Sequence, residues 1–386
     1  MRVLLAGGGT GGHIYPALAV AAALQKQYNA EILYLGSDDG LETRLVPAAG
    51  LRFATIQAGK LHRYVSWRTV QGLVRVPVGM AQAVGIVRRF KPDVAFSSGG
   101  YVAVPAGLAA RLNGTPILMH QQDVAPNLSN RLLVPLATRI SVAFADSMRY
   151  FPAQKTLHLG NPVRQAILDV RTIPVQEARE KLGLLPDVPV LLVTGGSQGA
   201  RHLNQVVCQA LPELLKQCQV LQISGEKLFD ETRVLSEQYL SGLGAEIRQR
   251  YKLVAYMNEE MPYALQAAEI VLARSGASTL SELAALGKPS ILVPLPPAIG
   301  SSPQETNAAM FASHHAADVI LDTNLKPELL VERVTHILSS ITYILDMKQA
   351  VQTLAKPDAI QEIVETIAQM QKGVANAKPG HESVQV

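Results

Sequence analysis

Two glycine-rich turns, each lying directly after a short apolar run and before a helix-length segment, constrain the fold of this chain most strongly. The first turn, Gly7–Gly12, follows Val3–Ala6, and the second, Gly195–Ala200, follows Val190–Thr194. Glycine permits a tight strand-to-helix turn and lets the backbone approach a bound group closely. Because the same plan opens both halves of the sequence, it predicts two Rossmann-like domains.

Further apolar runs of strand length alternate with helix-length segments throughout the chain. Besides the two opening runs, strands are predicted at Ile32–Leu35, Val94–Phe96, Ile117–His120, Arg139–Val142, Val220–Ser224, Ile270–Ala273 and Ile291–Val293. Helices are predicted at Pro16–Gln27 and Ala359–Gln371, among others. This alternation indicates parallel sheets covered by helices on both faces. The predicted fold class is therefore α/β, with two Rossmann-like domains that face each other across a cleft.

The length of 386 residues exceeds what one hydrophobic core usually supports. We expect an N-terminal domain over residues 1–160 and a C-terminal domain over 161–350. A C-terminal helix over 351–372 is expected to pack back toward the first domain, followed by a disordered tail over 373–386. No uncharged stretch is long and apolar enough to predict a transmembrane helix, and the two cysteines, Cys208 and Cys218, are typical of free thiols in a reducing compartment.

The first glycine turn has the G-x-G-x-x-G spacing of dinucleotide-binding proteins, but its context argues against a nicotinamide cofactor. A dehydrogenase would place an acid about 20 residues further on, at the end of the second strand. Here that strand ends without one, and the first acid is Asp38. Either turn alone is equally compatible with a ligand-free strand-to-helix connection, whereas two in register favour ligand binding. No cofactor is predicted, and no metal is predicted because the sequence lacks a D-x-D triplet.

Together these motifs resemble those of the MurG family of peptidoglycan glycosyltransferases, which belong to the two-Rossmann GT-B class and are of the glycosyltransferase family 28 type. The resemblance is carried by Gly8–His13, Gly99–Tyr101, Gly160–Arg164, Gly195–Ala200 and Arg274–Glu282, in the family's order and spacing. It implies inverting transfer of N-acetylglucosamine from UDP-N-acetylglucosamine to an undecaprenyl-diphosphate-linked muramyl-pentapeptide, in cell wall biogenesis and cell division. Two alternatives stay open: a nucleotide-sugar 2-epimerase of the same fold, and a non-catalytic nucleotide-sugar-binding protein.

The resemblance implies His13 and Glu282 as catalytic candidates. His13 would act as a general base, for which the ordinary pKa of histidine is suited; alternatively it only orients substrate or hydrogen-bonds backbone at the helix start. Glu282 would also contact the donor ribose. The implied substrate-binding residues are Thr10, Gly11, Gly12, Tyr101, Asp123, Arg164, Ser197, Gln198, Gly199, Met257, Ala277, Ser278, Thr279, Glu282, Gln304 and Asn307. Within that set, Arg164 and Ser197 would hold the diphosphate, the Met257 backbone would pair with uracil, and Gln304 would contact the transferred sugar.

Four positions depart from the family's pattern. Gln121, Asp123 and Asn127 stand where the family usually has glutamate, asparagine and glycine, and Pro303 replaces one of two paired glutamines. The first three changes concern polar groups on the acceptor side, and Pro303 concerns recognition of the donor sugar. We therefore expect the acceptor contacts to differ in detail while the donor diphosphate site is retained.

Positive charge is concentrated in the first half of the chain. Residues 1–160 hold 16 Lys/Arg and 7 Asp/Glu, whereas the remainder holds 19 and 24. The segment 44–91 has no acid and nine basic residues interleaved with apolar ones: Arg44, Arg52, Lys60, Arg63, Arg68, Arg75, Arg88, Arg89 and Lys91. Each cation near an anionic leaflet is worth about 1 kcal/mol, so the segment predicts peripheral attachment at the cytoplasmic face of the plasma membrane. An amphipathic helix with a buried face accounts for part of the pattern, and the scarcity of aromatic residues argues against nucleic-acid binding.

Overall fold

The computed structural model describes residues 1–9, 11–57, 67–196, 198–296 and 303–377, with only the backbone of 67–76 and 374–377. Four residues singled out above, Thr10, Lys60, Arg63 and Ser197, lie outside the described residues, as does the chain from 378 onward. The chain divides into two compact units. The first comprises Met1–Gln122, Pro126–Pro162 and Asp358–Val386, and the second comprises Asp123–Ala125 and Val163–Pro357.

A seven-stranded parallel sheet forms the centre of the first unit, in the order β3-β2-β1-β4-β5-β6-β7. Its strands are β1 (Arg2–Gly7), β2 (Glu31–Ser37), β3 (Arg52–Ile56), β4 (Val94–Gly99), β5 (Ile117–Gln121), β6 (Arg139–Val142) and β7 (Thr156–His158). The covering helices include α1 (Gly11–Tyr28), α2 (Glu42–Ala48), α3 (Trp67–Phe90), α4 (Ala103–Leu112) and α5 (Leu128–Leu133). Helix α1 begins five residues before the predicted Pro16. The first four N–H groups of a helix have no intrahelical partner. Gly11 and Gly12 can therefore form the first helical turn even though they precede the apolar residues from which the helix was predicted.

The second unit is built around a six-stranded parallel sheet with the order β10-β9-β8-β11-β12-β13. Its strands are β8 (Val190–Thr194), β9 (Gln219–Ile223), β10 (Tyr251–Val254), β11 (Ile270–Ala273), β12 (Ser290–Leu292) and β13 (Asp318–Val319). Its helices are α6 (Gln165–Asp169), α7 (Val175–Lys181), α8 (Arg201–Leu214), α9 (Phe229–Leu240), α10 (Ala245–Arg248), α11 (Met261–Ala267), α12 (Ala277–Leu286), α13 (Gln304–Ser313), α14 (Pro327–Ser339) and α15 (Ile341–Thr353). The predicted α/β class with two Rossmann-like sheets is confirmed.

The last helix, α16 (Ala359–Ala377), belongs to the first unit although it comes at the end of the chain. Its buried Ile363, Val364 and Ile367 share a hydrophobic cluster with residues of β1 and α1. The helix predicted over 351–372 differs from the observed one, since residues 351–353 end α15 and Pro357 disfavours helical backbone at the residue before it. Helix α16 also continues past 373, where the tail was predicted to begin.

The glycine turns lie where each sheet reverses its strand order. In the first sheet β1 lies between β2 and β4, and in the second β8 lies between β9 and β11. Open α/β sheets bind ligands at the carboxyl ends of the strands flanking such a switch point. Each unit therefore carries its glycine turn at its own switch point. No helix in the described parts of the chain is long and apolar enough to cross a membrane.

Candidate active site

His13 lies in the first turn of α1 and contacts the end of β4. Its Nδ1 lies 2.8 Å from the carbonyl oxygen of Ser98, and the Ser98 hydroxyl donates to the carbonyl oxygen of His13 at 2.7 Å. The side-chain amide of Gln122 donates to the same Ser98 carbonyl at 3.2 Å. Because a carbonyl only accepts, this contact places the proton of a neutral imidazole on Nδ1 and leaves Nε2 as its acceptor nitrogen.

Glu42, a residue that the sequence did not single out, stabilises the first glycine turn through hydrogen bonds. Its fully buried carboxylate accepts the N–H groups of Gly9 and Ser37 at 3.2 and 3.1 Å and the Ser37 hydroxyl at 2.7 Å. A Cβ added at Gly8 would lie 2.4 Å from its Oε1. Glycine in this turn therefore makes room for the carboxylate that fixes the turn.

Tyr101 belongs to the same group of contacts. Its hydroxyl donates to the Ser37 hydroxyl at 2.6 Å, and its ring lies against Gly9, where an added Cβ would be 3.0 Å from Cε1. Burial, with a smaller contribution from the Glu42 charge, raises the pKa of Tyr101 to about 12. The predicted substrate residues Gly11 and Gly12 follow as the first residues of α1.

His120 is fully buried beneath this region, at the end of β5. Its Nδ1 lies 2.6 Å from the Ser141 hydroxyl and its Nε2 lies 3.0 Å from Oδ1 of Asn161. Burial lowers the pKa of His120 to about 4 and so keeps the ring neutral. The Asn130 side chain donates to Gln121 at 2.7 Å and to the His120 carbonyl at 3.3 Å.

Two of the departures from the family's pattern have structural roles in the first unit. Gln121 accepts the Asn130 amide just described, and Asn127 is the N-cap of α5. The Asn127 side chain accepts the N–H of Asn130 at 2.9 Å, as N-cap residues commonly do. Each replacement therefore has a hydrogen-bonding role within its own unit.

In the second unit, the glycine turn between β8 and α8 is closely packed at Gly199. Gly196 and Gly199 have φ angles of +80° and +73°, and the Gly199 N–H donates to the Gly196 carbonyl at 2.9 Å. A Cβ added at Gly199 would lie 2.1 Å from the carbonyl oxygen of Ser224. Gln198 is exposed within this turn, and α8 begins at Arg201 with no side-chain cap.

Arg164 and Glu282, for which the resemblance implied different donor contacts, form an ion pair. The guanidinium Nη2 and Nε lie 3.0 and 3.1 Å from Glu282 Oε1. Burial raises the pKa of Glu282, and the neighbouring Arg164 opposes that rise. The pair places a cation at the end of the predicted Gly160–Arg164 motif and orients it through a carboxylate from α12.

The start of α12 presents polar groups that other described residues do not satisfy. The helix begins at Ala277 after Gly276, with no side-chain cap. Within the described residues, the buried Ser278 hydroxyl has no hydrogen-bond partner. Thr279 completes the first turn. The N-terminus of a helix carries a partial positive charge, so this end can accept an anionic group.

Asn307, predicted as a substrate residue, is fully buried and makes several contacts within the second unit. Its amide nitrogen donates to Asp123 Oδ1 at 2.8 Å and to the Ser275 carbonyl at 3.0 Å, while its oxygen accepts the Val124 N–H at 2.9 Å. Gln304 begins α13 with Pro303 as its N-cap residue, and its side-chain oxygen accepts the Leu295 N–H at 3.0 Å. Met257 lies in the segment between β10 and α11.

A further carboxylate that the sequence did not reveal, Asp322, connects the segments after three strands. It lies 2.6 Å from Arg274 Nη1 and 3.2 Å from His202 Nδ1. The same Arg274 nitrogen donates to the carbonyls of Val293 and Pro294 at 3.1 and 3.2 Å. Over the part of the chain that the structure describes, no group of three His, Cys, Asp or Glu side chains could hold a metal ion.

Two Rossmann-like units, each with a glycine turn at its own switch point, form the two-domain architecture of the GT-B class. Residues 3–142 match the glycosyltransferase family 28 N-terminal domain, and residues 190–363 match the glycosyltransferase family 28 C-terminal domain. The crystal structure of Acinetobacter baumannii MurG superposes with a TM-score of 0.76 at 27% identity, covering 95% of this chain and 99% of that one.

Sequence relatives narrow the class to one family. The UDP-N-acetylglucosamine--N-acetylmuramyl-(pentapeptide) pyrophosphoryl-undecaprenol N-acetylglucosamine transferase of Caldanaerobacter subterraneus subsp. tengcongensis is 37% identical, covering 95% of this chain and all of that protein. The transferase of the same name from Desulforudis audaxviator is 39% identical, covering 96% of this chain and 98% of that one. The chain belongs to this family and is a glycosyltransferase. The UDP-GlcNAc 2-epimerase from Neisseria meningitidis, bound to UDP-GlcNAc, is 15% identical with a TM-score of 0.68, covering 96% of this chain and all of that one, and shares the fold alone.

Proposed function

We propose that this chain carries out the reaction for which its relatives are named, with His13 as the general base. In that reaction N-acetylglucosamine passes from UDP-N-acetylglucosamine to an undecaprenyl-diphosphate-linked muramyl-pentapeptide, a step of peptidoglycan synthesis. The contact between His13 Nδ1 and the Ser98 carbonyl carries the assignment of the base. It holds the ring in the tautomer whose Nε2 can accept a proton from the acceptor hydroxyl.

The proposed chemistry is a single displacement. As His13 Nε2 takes the proton, the acceptor oxygen attacks the anomeric carbon of the donor sugar. The bond between that carbon and the diphosphate oxygen breaks, and UDP leaves with the electron pair. Attack from the face opposite UDP inverts the configuration of the anomeric carbon. Thr10, Gly11, Gly12, Tyr101 and Asp123 are proposed as acceptor contacts.

We assign stabilisation of the leaving UDP to the second unit. Its developing negative charge would meet the Arg164 guanidinium, the amides of the Gly195–Ala200 turn and the start of α12 with its Ser278 hydroxyl. Such fixed dipoles and charges stabilise an anion without reorganising. Glu282 would accept hydrogen bonds from the ribose hydroxyls. Further proposed donor contacts are Ser197, Gln198 and Gly199 for the diphosphate, Met257 for uracil, Ala277 and Thr279 at the helix start, and Gln304 for the sugar. Asn307 ends the motif that Gln304 begins and, being fully buried, would support the donor site through Asp123 and Ser275.

UDP release from UDP-N-acetylglucosamine, measured with and without the lipid-linked acceptor, tests the reaction. We expect release only when acceptor is present. Consumption of donor without acceptor would indicate an epimerase, and UDP binding without turnover would indicate a binding protein. For the base, His13→Asn keeps an N–H near the Ser98 carbonyl but removes Nε2. We expect kcat to fall by about 10²–10⁴-fold with the KM for donor unchanged; kcat within threefold of wild type would rule out His13 as the base.

We also propose that the basic and apolar segment 44–91 attaches the protein to the cytoplasmic face of the plasma membrane. Exposed cations among its described side chains support this: Arg44, Arg52, Arg88, Arg89 and Lys91. Arg52 pairs with Glu31 and contributes less net charge than the others. Cosedimentation with anionic vesicles should fall as salt rises and should weaken in R88Q/R89Q, with R233Q on exposed α9 as the control. Equal binding of the double variant and the control would contradict this surface.

A further inference from the structure

A cavity of about 310 Å³ lies in the second unit, near the amino-terminal ends of β11 and β12. The glycine turn of this unit lies at the opposite, carboxyl-terminal ends of the strands. The cavity lies beside the segments that lead into β11 and β12, and α15 together with the short helical turn Val170–Thr172 completes it. Its polar lining consists of Arg171, Gln266, Lys288, Lys348 and Gln352. The other lining residues, which surround the end of α12, are small or apolar, so the chemistry of the cavity is set by three cations and two amides.

Lys288 is the buried cation of this group. Only 6% of its surface is exposed, and its ammonium donates to the carbonyls of Gln266 and Ala268 at 2.7 and 3.1 Å. An ammonium has three protons to donate, and these two contacts use two of them. Burial, with a smaller contribution from the nearby positive charge of Lys348, lowers the pKa of Lys288 to about 8. The lysine is thus held in a place where positive charge is in excess.

No acidic side chain lines the cavity among the residues that the structure describes. Glu269, which favours the charged form of Lys288, is already engaged elsewhere. Its carboxylate pairs with Arg179 and accepts the N–H of Val190. The charges of Arg171, Lys288 and Lys348 therefore have no carboxylate facing them across the cavity.

The cavity is separate from the proposed donor site. Helix α12 begins at the donor motif and ends at Leu286, where Gly287 caps it with a φ of +62°. A helix of ten residues is about 15 Å long. A group bound beside Lys288 would therefore lie a full helix length from a donor diphosphate held at the start of α12.

We propose that this cavity binds a small polyanion, namely a phosphate or diphosphate group, between Lys288, Lys348 and Arg171. Phosphate oxygens match the donors that the cavity offers, since lysine acts as a point charge and arginine can donate two parallel hydrogen bonds. The group can come from a soluble phosphorylated metabolite or from the headgroup of an anionic lipid, because both present the same oxygens.

The pKa of Lys288 gives this site a pH dependence. A bound anion favours the charged ammonium, so binding takes up a proton wherever Lys288 is partly neutral. The other charged groups near Lys288 are Lys348, Arg179, Arg171 and Glu269. Affinity for the anion should therefore fall as the pH rises through about 8.

Calorimetric titration of the full chain with inorganic pyrophosphate tests the proposal, with saturating UDP present so that the donor site is occupied. We expect one bound pyrophosphate, with about tenfold weaker binding in K348Q and weaker binding at pH 9 than at pH 7. K216Q, which removes an exposed lysine of the same unit, should bind as wild type does. Absence of saturable binding in the UDP-saturated protein together with equal vesicle binding by K348Q and K216Q would overturn the proposal.

A second arm separates the two sources of the phosphate. If a lipid headgroup occupies the site, K348Q should cosediment with phosphatidylglycerol vesicles less than K216Q, and free pyrophosphate should compete. If a soluble metabolite occupies it, the two variants should bind vesicles equally while pyrophosphate binding still differs. Lys288→Met should abolish pyrophosphate binding, and the half-buried Lys348 provides the variant that is expected to keep the fold.

Discussion

Asn307 binds Asp123 through a hydrogen bond of 2.8 Å, and its amide oxygen accepts the N–H of the next residue, Val124, at 2.9 Å. The amide of Asn307 thus holds two consecutive residues, and it also donates to the Ser275 carbonyl at the donor motif. Asp123 stands where the family usually has asparagine, so the departure is accommodated here by a carboxylate that accepts from a fixed amide.

Exchanging the amide and the carboxylate tests the hydrogen bond between Asn307 and Asp123. Asn307→Asp brings a second carboxylate against Asp123, and we expect the free energy of unfolding to fall by about 3 kcal/mol, because a buried charge loses its donor. The double variant N307D/D123N restores an amide facing a carboxylate and should recover at least half of that loss. Denaturant unfolding of the two variants measures the coupling; equal loss in both would show that Asp123 and Asn307 do not interact.

His120 makes stability depend on pH below neutrality. Its pKa of about 4 in the folded chain lies below the value of 6.5 in the unfolded chain. The unfolded state therefore binds a proton first as the pH falls, and stability is lost between pH 6.5 and 4, by about 3 kcal/mol in total. Urea unfolding at several pH values should show this slope in the wild type and its reduction in His120→Gln. The exposed His336→Gln is the control and should keep the slope.

The second glycine turn offers a matched pair of substitutions. Gly196 and Gly199 both have positive φ angles, but an added Cβ at Gly196 would meet nothing within 4 Å, whereas at Gly199 it would lie 2.1 Å from the Ser224 carbonyl oxygen. Gly196→Ala should cost about 1 kcal/mol of stability through backbone strain alone. Gly199→Ala should cost about 3 kcal/mol or more and raise the KM for UDP-N-acetylglucosamine. Equal effects of both in unfolding and kinetic assays would show that steric contact is unimportant here.

Asp322 is expected to position two residues near the proposed donor site, Arg274 of the donor motif and His202 of α8. Asp322→Asn removes the charge that faces Arg274 and His202, and breaking a mostly buried pair costs about 3 kcal/mol. We expect the KM for donor to rise while the KM for acceptor stays unchanged. Asp230→Asn, which weakens an exposed pair with Arg233, should change stability by less than about 0.5 kcal/mol. A change in both KM values would indicate general loosening instead.

The sequence predicted the central strands well and missed the outer ones. Strands β6, β8 and β11 have the predicted bounds, and the bounds of the other predicted strands lie within a few residues of theirs: β1, β2, β4, β5, β9 and β12. The four strands without a prediction, β3, β7, β10 and β13, all lie at the edges of their sheets. An edge strand is only partly buried, so polar residues such as Arg52 and Lys252 interrupt the apolar run by which a central strand is recognised.

The candidate site was predictable where its chemistry lies in a local motif. Glycine turns leave a local pattern because their positive φ angles and close approaches exclude other residues. Glu42 left none, since it acts through Gly9 and Ser37, which only folding brings near. Asp322 likewise meets His202 across 120 positions of sequence. Such pairs depend on which strands neighbour each other in the sheet.

The position of α16 constrains how the protein can be made. Its Ile363, Val364 and Ile367 complete a hydrophobic cluster that contains residues from the first strand of the chain. A ribosome has therefore synthesised the whole second unit before the first can close its core. During most of translation the apolar residues of the first sheet that pack against α16 therefore remain exposed. A chain truncated before residue 359 lacks α16 and leaves these N-terminal residues exposed permanently. Truncation at the C-terminus thus destabilises the N-terminal strand.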